Sequence, residues 1–370
     1  MLSSAPPRRH ILFFLHLIQD VDLIAPVIKE ALSHEECAVS VWVTDRLYHQ
    51  FPRASRVLRG YGLNIRVLSY AASFFGFFPA LSGIDVLITA SESNARPHRV
   101  AHLLTKMANL RRIQTYTLQQ GFENCGLTYF DAEHTPGEVE FASGTIFLWG
   151  GLQTLHTQAR VGSRCVPAGY TKQVTTAATA DALAKKNEWG KPVVSIFENL
   201  HRKAYTPLAV SDFMDCLTSA VRQCPEIHFI LRPHPNQRWT AIHKKNELSA
   251  LGHLDLADPK DTKWAFWTTA DLVSVSDAVI TAPSTVALDA ALATCPVAVV
   301  AMGNDVQRYS PLTTLKKVDE WCDFIRLSVA PPGRTDEKMR AQQFAKKYVL
   351  AGDAARRIIN FVIRARSSIG

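Results

Sequence analysis

The sequence predicts an α/β protein built of two Rossmann-like, doubly wound domains facing a cleft. Three observations carry this. The chain has 370 residues, about twice the usual length of one domain. Short apolar runs rich in Val, Ile and Phe alternate with helix-period segments along almost its whole length, as parallel strands covered by helices do. Near the middle, a stretch rich in Thr, Ala and Lys and poor in large apolar residues divides the runs into two series.

In chain order, the first series predicts strands at Ile11–Leu17, Val39–Thr44, Ile65–Ser69, Val86–Thr89, Thr115–Gln119 and Thr145–Trp149. Each is a β-branched or aromatic run of strand length bounded by polar residues. Residues 1–165 form the first expected domain and 166–190 the linker, with a short polar helix over Ala177–Trp189. The second series, in an expected domain 191–333, reads Val193–Phe197, His228–Leu231, Ala278–Thr281, Val297–Ala301 and Phe324–Leu327. Residues 334–370 carry a helical pattern over Arg334–Arg366, long enough to pack back on the first domain. Trp264, Phe266 and Trp267, at near-helical spacing, read as core.

Composition narrows the function classes. Charged residues are 20% and hydrophobic residues 47%, which excludes a disordered, collagenous or coiled-coil chain. Lys and Arg number 41 against 33 Asp and Glu, a net +8. That excess suits nucleotides, acidic sugars, nucleic acid or a negative membrane face. No apolar run reaches the roughly 18 residues of a membrane span. Seven cysteines lie singly with no C-x-x-C pair, as in a reduced, cytoplasmic chain without a structural zinc site. Neither G-x-G-x-x-G nor a Walker A sequence occurs, against NAD enzymes and P-loop NTPases.

Ligands of doubly wound sheets bind beyond the carboxyl ends of the strands, so the residues there are the candidates. Strand His228–Leu231 runs into Arg232-Pro233-His234-Pro235-Asn236. The prolines stiffen the exit, and Arg beside His suits a phosphate. Ala278–Thr281 ends in P-S-T-V-A-L-D-A-A-L. Ser284 reads as an N-cap with Thr285 at the first helical position. A hydroxyl at a helix N-terminus makes a phosphate site, although an ordinary cap is the alternative.

Val193–Phe197 delivers Glu198, Asn199, His201, Arg202 and Lys203. Glu198 reads as a nucleophile or base kept ionised by those cations, or else as a helix-opening carboxylate. Thr115–Gln119 leads to Gln120, Gly121 and Glu123, where Glu123 reads as a general base or a solvated loop carboxylate. Asp20 and Asp22 follow the first strand, facing the cleft or complementing a helix dipole. Arg96, His98, Arg99, His102, Lys106, Arg111 and Arg112 make a basic helical stretch. It reads as a solvated face, or as a contact for an acceptor glycan or a membrane surface.

R-P-H-P after one strand and P-S-T-V-A-L-D-A-A-L after a later one resemble motifs of GT-B glycosyltransferases that use CMP-activated acidic sugars. The opening I-L-F-F-L-H-L-I-Q-D-V and the stretch Q-Q-G-F-E-N-C-G-L-T-Y-F-D look most like the retaining β-Kdo transferases of bacterial capsule and lipopolysaccharide synthesis. The resemblance implies a GT-B fold, with an acceptor-side first domain and a nucleotide-sugar second domain. It implies Kdo transfer from CMP-Kdo to a glycan or lipid-linked glycan, with retention through a carboxylate adduct.

Carried over, His234, Ser284 and Thr285 hold the nucleotide phosphate with Arg232, Glu198 is the nucleophile and Glu123 the acceptor-side base. Glu stands at 198 where the family usually has Asp. Arg202 and Lys203 meet the sugar carboxylate, and Asp20, Gln120 and Asn199 line the cleft. No metal, no cofactor and no nucleic acid are expected, and a peripheral contact with the inner membrane is. The alternatives are a CDP-polyol phosphotransferase of the teichoic-acid type, a UDP-sugar transferase or epimerase, and a non-catalytic nucleotide-sugar-binding protein.

Overall fold

A computed structural model describes residues 8–131, 133–174, 178–200, 205–235, 238–301, 303 and 305–365. The chain divides into two compact units, Met1–Gln173 with Tyr348–Gly370, and Val174–Lys347. Each is an α/β unit around one parallel sheet.

In the first unit the strands are β1 (Arg9–Leu15), β2 (Cys37–Thr44), β3 (Ile65–Leu68), β4 (Val86–Ala90), β5 (Gln114–Leu118), β6 (Thr145–Leu148) and β7 (Arg164–Pro167). Helices α1 (Ile18–Leu32), α2 (Asp45–Gln50), α3 (Pro52–Arg59), α4 (Tyr70–Phe74) and α5 (Arg99–Leu110) connect them. The order is β3-β2-β1-β4-β5-β6-β7. The sheet grows outward in opposite directions from β1 and β4, whose carboxyl ends form the switch point. Ile11 to Leu15 of β1 are fully buried, which is why that strand reads as an unbroken apolar run rather than an alternating one.

The second unit holds α6 (Ala180–Trp189), β8 (Val193–Phe197), α7 (Pro207–Gln223), β9 (His228–Arg232), α8 (Trp239–His243), α9 (Lys245–Ser249) and β10 (Leu254–Leu256). After these come α10 (Thr269–Val275), β11 (Ala278–Thr281), α11 (Val286–Leu292), β12 (Val297–Val300), β13 (Thr313–Leu315), α12 (Val318–Val329) and α13 (Gly333–Tyr348). The order β10-β9-β8-β11-β12-β13 puts this switch point between β8 and β11. The core gathers Ile196, Phe213, Phe229, Ile280 and Trp321. The last helix, α14 (Ala354–Arg364), belongs to the first unit and packs on α1.

Several elements differ from expectation. Phe324–Leu327 is not a strand but part of α12. Its buried residues Trp321, Cys322, Phe324, Ile325 and Ser328 follow helical spacing, and a four-residue stretch with three apolar residues around Arg326 cannot separate the two readings. The sheet ends instead in β13, whose three residues are mostly polar. The edge strands β7 and β10 were also missed. β7 closes on Pro167, which an edge tolerates because one side of its backbone makes no ladder bonds.

The C-terminal pattern is two helices, not one. Gly352 takes φ +94 between them and Asp353 caps α14 by accepting from Arg356 N at 3.0 Å. Trp264 is 2% exposed and Phe266 40%, both in a turn rather than a helix. Among the described residues, no helix is long and apolar enough to cross a membrane.

Candidate functional site

The exits of three adjacent strands in the second unit, β9, β8 and β11, carry most of the residues predicted from sequence. The β8 exit organises the other two. Glu198 is 3% exposed and reaches the start of α8. Its Oε1 accepts from Trp239 N at 2.9 Å, and its Oε2 accepts from Thr240 N at 3.0 Å and from the Thr240 hydroxyl. Asn199, 6% exposed, turns the other way and donates from Nδ2 to the Pro283 carbonyl at 2.6 Å. Two consecutive residues thus tie down the turns on both sides of the switch point.

The R-P-H-P turn is fixed from further points. Arg232 was expected to meet phosphate, but its guanidinium donates to the carbonyls of Ala257 at 2.8 Å, Trp264 at 3.4 Å and Trp267 at 2.8 Å. That pattern anchors the 257–267 segment. Arg238, which sequence reading passed over, holds a left-handed φ of +49 and pairs in fork geometry with Asp258, one contact being 2.7 Å. A non-glycine residue in that region is strained and persists only where its surroundings fix it. His234 is half-buried between these anchors, and its carbonyl accepts from Arg238 N at 2.9 Å.

At the β11 exit the helix starts one residue later than expected. Thr285 is the N-cap of α11, while Ser284 Oγ accepts from Val286 N at 3.2 Å and lies 3.0 Å from Thr281 Oγ1. Both hydroxyl residues therefore stand at a helix start, where an anion is favoured.

At Glu198 burial and hydrogen bonding act in opposite directions. Burial pushes its carboxyl above the ordinary range, and the bonds from Thr240 and Trp239 pull it back only in part. Asp258 is the opposite case: burial raises it, but Arg238 and the Lys260 N–H hold it below its usual value. His201, Arg202, Lys203 and Asn236 lie outside the described residues.

In the first unit, Asp20 is wholly buried at the β1–β4 switch point. Its Oδ2 accepts from His16 N and Leu17 N, both at 2.9 Å, and its Oδ1 accepts from the Ser91 hydroxyl at 2.7 Å. It caps α1. Asp22 instead pairs with Arg53 at 2.7 and 2.8 Å.

Around Asp20 lies a polar network that sequence reading missed, having placed His98 and His102 on a solvated basic face, whereas His102 is 4% exposed. His16 Nδ1 stands 3.0 Å from Asp20 Oδ2, His98 Nδ1 is 2.8 Å from Ser93 Oγ, and His102 Nδ1 is 2.6 Å from Glu92 Oε1. Glu92 also accepts from Ala142 N at 3.0 Å and the Ser143 hydroxyl at 2.8 Å. Loss of water around the ring, together with the neighbouring His16, pushes His98 down to about 3. The signal was present in Ser91-Glu92-Ser93, which leaves a core strand directly.

The loop after β5 is knitted around Asn124. Gln120 N donates to Asn124 Oδ1 at 3.1 Å, and Asn124 N donates to Thr128 Oγ1 at 2.8 Å. Gln120 Oε1 is buried without a hydrogen-bond partner, and Glu123 is half-buried two residues beyond Gly121. Glu123 and Glu198 fall in different units. In the same loop Cys125, Asp131 and His134 bring one ligand atom each within 4.8 Å of one another. This is the one metal-capable group among the described residues, where sequence reading expected no metal. Asp131 Oδ1 already accepts from Glu133 N at 2.9 Å and His134 N at 2.8 Å. A cavity of about 520 Å³ beside β7 and α14 contains none of the predicted site residues.

No protein-family model and no curated protein sequence matches the chain. Solved structures match it over nearly its full length. Staphylococcus aureus MnaA bound to UDP aligns with a TM-score of 0.69 at 14% identity, covering 98% of each chain. A Methanocaldococcus jannaschii UDP-GlcNAc 2-epimerase in complex with UDP-GlcNAc and UDP aligns at 0.68 and 11%, over 96% of this chain and 99% of that one. Acinetobacter baumannii MurG aligns at 0.53 and 12%, over 97% and 100%. At these identities the likeness carries the fold, which is the GT-B type.

Proposed function

We propose that this protein acts on a nucleotide sugar whose phosphate is held in the second unit by His234, Ser284 and Thr285. The supporting observation is the grouping of R-P-H-P, Glu198-Asn199 and P-S-T on three adjacent strand exits at a switch point. Hydroxyls and backbone N–H groups at a helix start suit a phosphoryl group, and the half-buried His234 at the β9 exit, on the other side of β8, is assigned a further bond to it.

The donor in this reading is a CMP-activated ulosonic acid such as CMP-Kdo, moved to a glycan acceptor, as the two motifs suggest by resemblance. Glu198 attacks the anomeric carbon through Oε1, which accepts a single bond from Trp239 N. The bond from that carbon to the phosphate oxygen breaks, and CMP leaves with the electron pair. The acceptor hydroxyl then displaces the Glu198 carboxylate and gives its proton to a general base, the role that the resemblance assigns to Glu123 in the two-carboxylate logic of retention. Arg202 and Lys203 are assigned to the sugar carboxylate.

A second reading, 2-epimerisation of a UDP-N-acetylhexosamine, is favoured by the likeness to epimerases bound to UDP and UDP-GlcNAc. Thermal shift against CMP, CDP and UDP separates the readings, since a nucleotide at about 100 times its dissociation constant adds roughly 2.7 kcal/mol of stability. Protection by CMP that His234→Ala abolishes, with CMP release from CMP-Kdo and an adduct on Glu198, is the expected result. Protection by UDP alone transfers the assignment to the second reading, and protection by none of the three removes nucleotide binding.

A further inference from the structure

The first unit displays two phenylalanines on a turn that its backbone holds rigid. After α4 the chain runs Phe74-Phe75-Gly76-Phe77-Phe78. Phe74 and Phe78 pack against the buried cluster that includes Leu12, Phe14 and Trp42, and Phe78 meets Phe14 edge-on at 6.4 Å. Phe75 and Phe77 are each 72% exposed. Gly76 between them takes φ +87, and a Cβ built there would meet nothing within 4 Å, so the tip of the turn stands clear. Phe75 N and Phe77 N donate to the Ala72 carbonyl at 3.1 and 3.0 Å, and Gly76 N donates to Ser73 at 3.0 Å. The rings are anchored in this display rather than left loose.

Cations frame the turn. The exposed Arg46 lies 5.3 Å over the Tyr70 ring, and the exposed Arg99 lies 5.4 Å over the Phe74 ring. The charge around them is strongly one-sided. Residues 45–122, which run from α2 through β5, contain ten Lys and Arg against three acids, Asp45, Asp85 and Glu92. That local excess of +7 is most of the +8 of the whole chain, so the rest of the sequence is nearly balanced.

We propose that this face docks on an anionic lipid bilayer, with Phe75 and Phe77 entering the boundary between headgroups and acyl chains. Arg46 and Arg99 then lie at headgroup level. Aromatic rings flanked by cations bind such a surface through apolar insertion and attraction to anionic lipid. A second copy of this chain is disfavoured as occupant, because it would set one basic face against another. The proposal does not depend on which nucleotide sugar the protein uses.

Flotation of the full chain with vesicles tests it, comparing phosphatidylcholine alone with phosphatidylcholine containing 30% phosphatidylglycerol (about a third anionic lipid). The expected result is binding to the anionic vesicles only, weakening as salt rises. Phe75→Ser/Phe77→Ser should lower that partition about tenfold or more while leaving the melting curve unchanged. Arg46→Gln/Arg99→Gln should weaken it and flatten its salt dependence. Three results overturn the proposal: no binding of the native chain to anionic vesicles, equal binding by the Phe variant, or a native dimer that the Phe variant dissociates.

Discussion

Asn199→Asp is the substitution that most sharply tests the clamp at the β8 exit. Asn199 Nδ2 donates to the Pro283 carbonyl at 2.6 Å from a position 6% exposed. Aspartate has the same shape but can donate there only when protonated. Holding a proton at pH 7 on a group with an ordinary value near 3.9 costs about 4 kcal/mol, at about 1.36 kcal/mol per unit. At pH 5 the same sum is about 1.5 kcal/mol. Leaving the acid ionised against a carbonyl oxygen is the other outcome, and the lower of the two costs applies. Tryptophan fluorescence reads the right unit, since Trp189, Trp239, Trp264, Trp267 and Trp321 lie in the second and only Trp42 and Trp149 in the first. With a urea slope of about 2 kcal/mol per molar, the midpoint should fall by about 2 M at pH 7 and by under about 1 M at pH 5. Asn199→Ala provides the control, costing about 1–3 kcal/mol at either pH by stranding the carbonyl. An aspartate variant whose loss is the same at both pH values would refute the reasoning.

His98 should shape the acid limb of stability. Its folded value of about 3 lies below the ordinary 6.5, so the unfolded chain binds the extra proton first. The contribution is complete above pH 6.5 and is lost as pH falls toward 3, by up to about 1.4 kcal/mol per pH unit. His98→Gln should flatten that slope in the amide exchange of β4 and α5, and an unchanged slope would exclude it. Turnover of the nucleotide sugar should survive EDTA, because Ser284, Thr285 and His234 are proposed to meet the leaving phosphate without a cation. A loss that Mg²⁺ restores would turn attention to Cys125, Asp131 and His134, where Cys125→Ser would be the next measurement.

The central strands were legible because burial on both faces writes them as nearly continuous apolar runs, as in Ile11–Leu15 and in Val193–Phe197 with its single Ser195. The edge strands β7, β10 and β13 carry no such signature, although β3, also at an edge, was legible. In β7 both end residues are exposed, and β10 and β13 have three residues each. Their strand character comes from the ladder offered by β6, β9 and β12 rather than from their own side chains. Phe324–Leu327 failed in the opposite direction, supplying a mostly apolar stretch without a ladder. In the first unit, His16 and Ser91-Glu92-Ser93 escaped notice although they stand at strand exits, because single polar residues of common types carry no motif.

The site was legible in position and less so in role, for a reason tied to the switch point. Strands that diverge there leave their exit turns without a shared neighbour, so side chains from the central strand must tether them. Arg, Glu and Asn serve this purpose well, and they are the same types that bind phosphates, carboxylates and sugars. Only the fate of their donors and acceptors separates the two uses. Arg232 spends its guanidinium on carbonyls 25 to 35 residues away, a distance no local pattern reveals. Asn199 spends its amide on Pro283 and Asp20 its carboxylate on α1 and Ser91. Glu198 is intermediate, since Oε2 accepts two bonds and Oε1 one. If Glu198 only tethers α8, then Glu198→Gln should loosen the R-P-H-P turn and weaken nucleotide binding along with turnover. If it is also the nucleophile, turnover should fall by several orders of magnitude while CMP still protects the fold. Measuring both quantities on one variant decides between a tether and a tether that reacts.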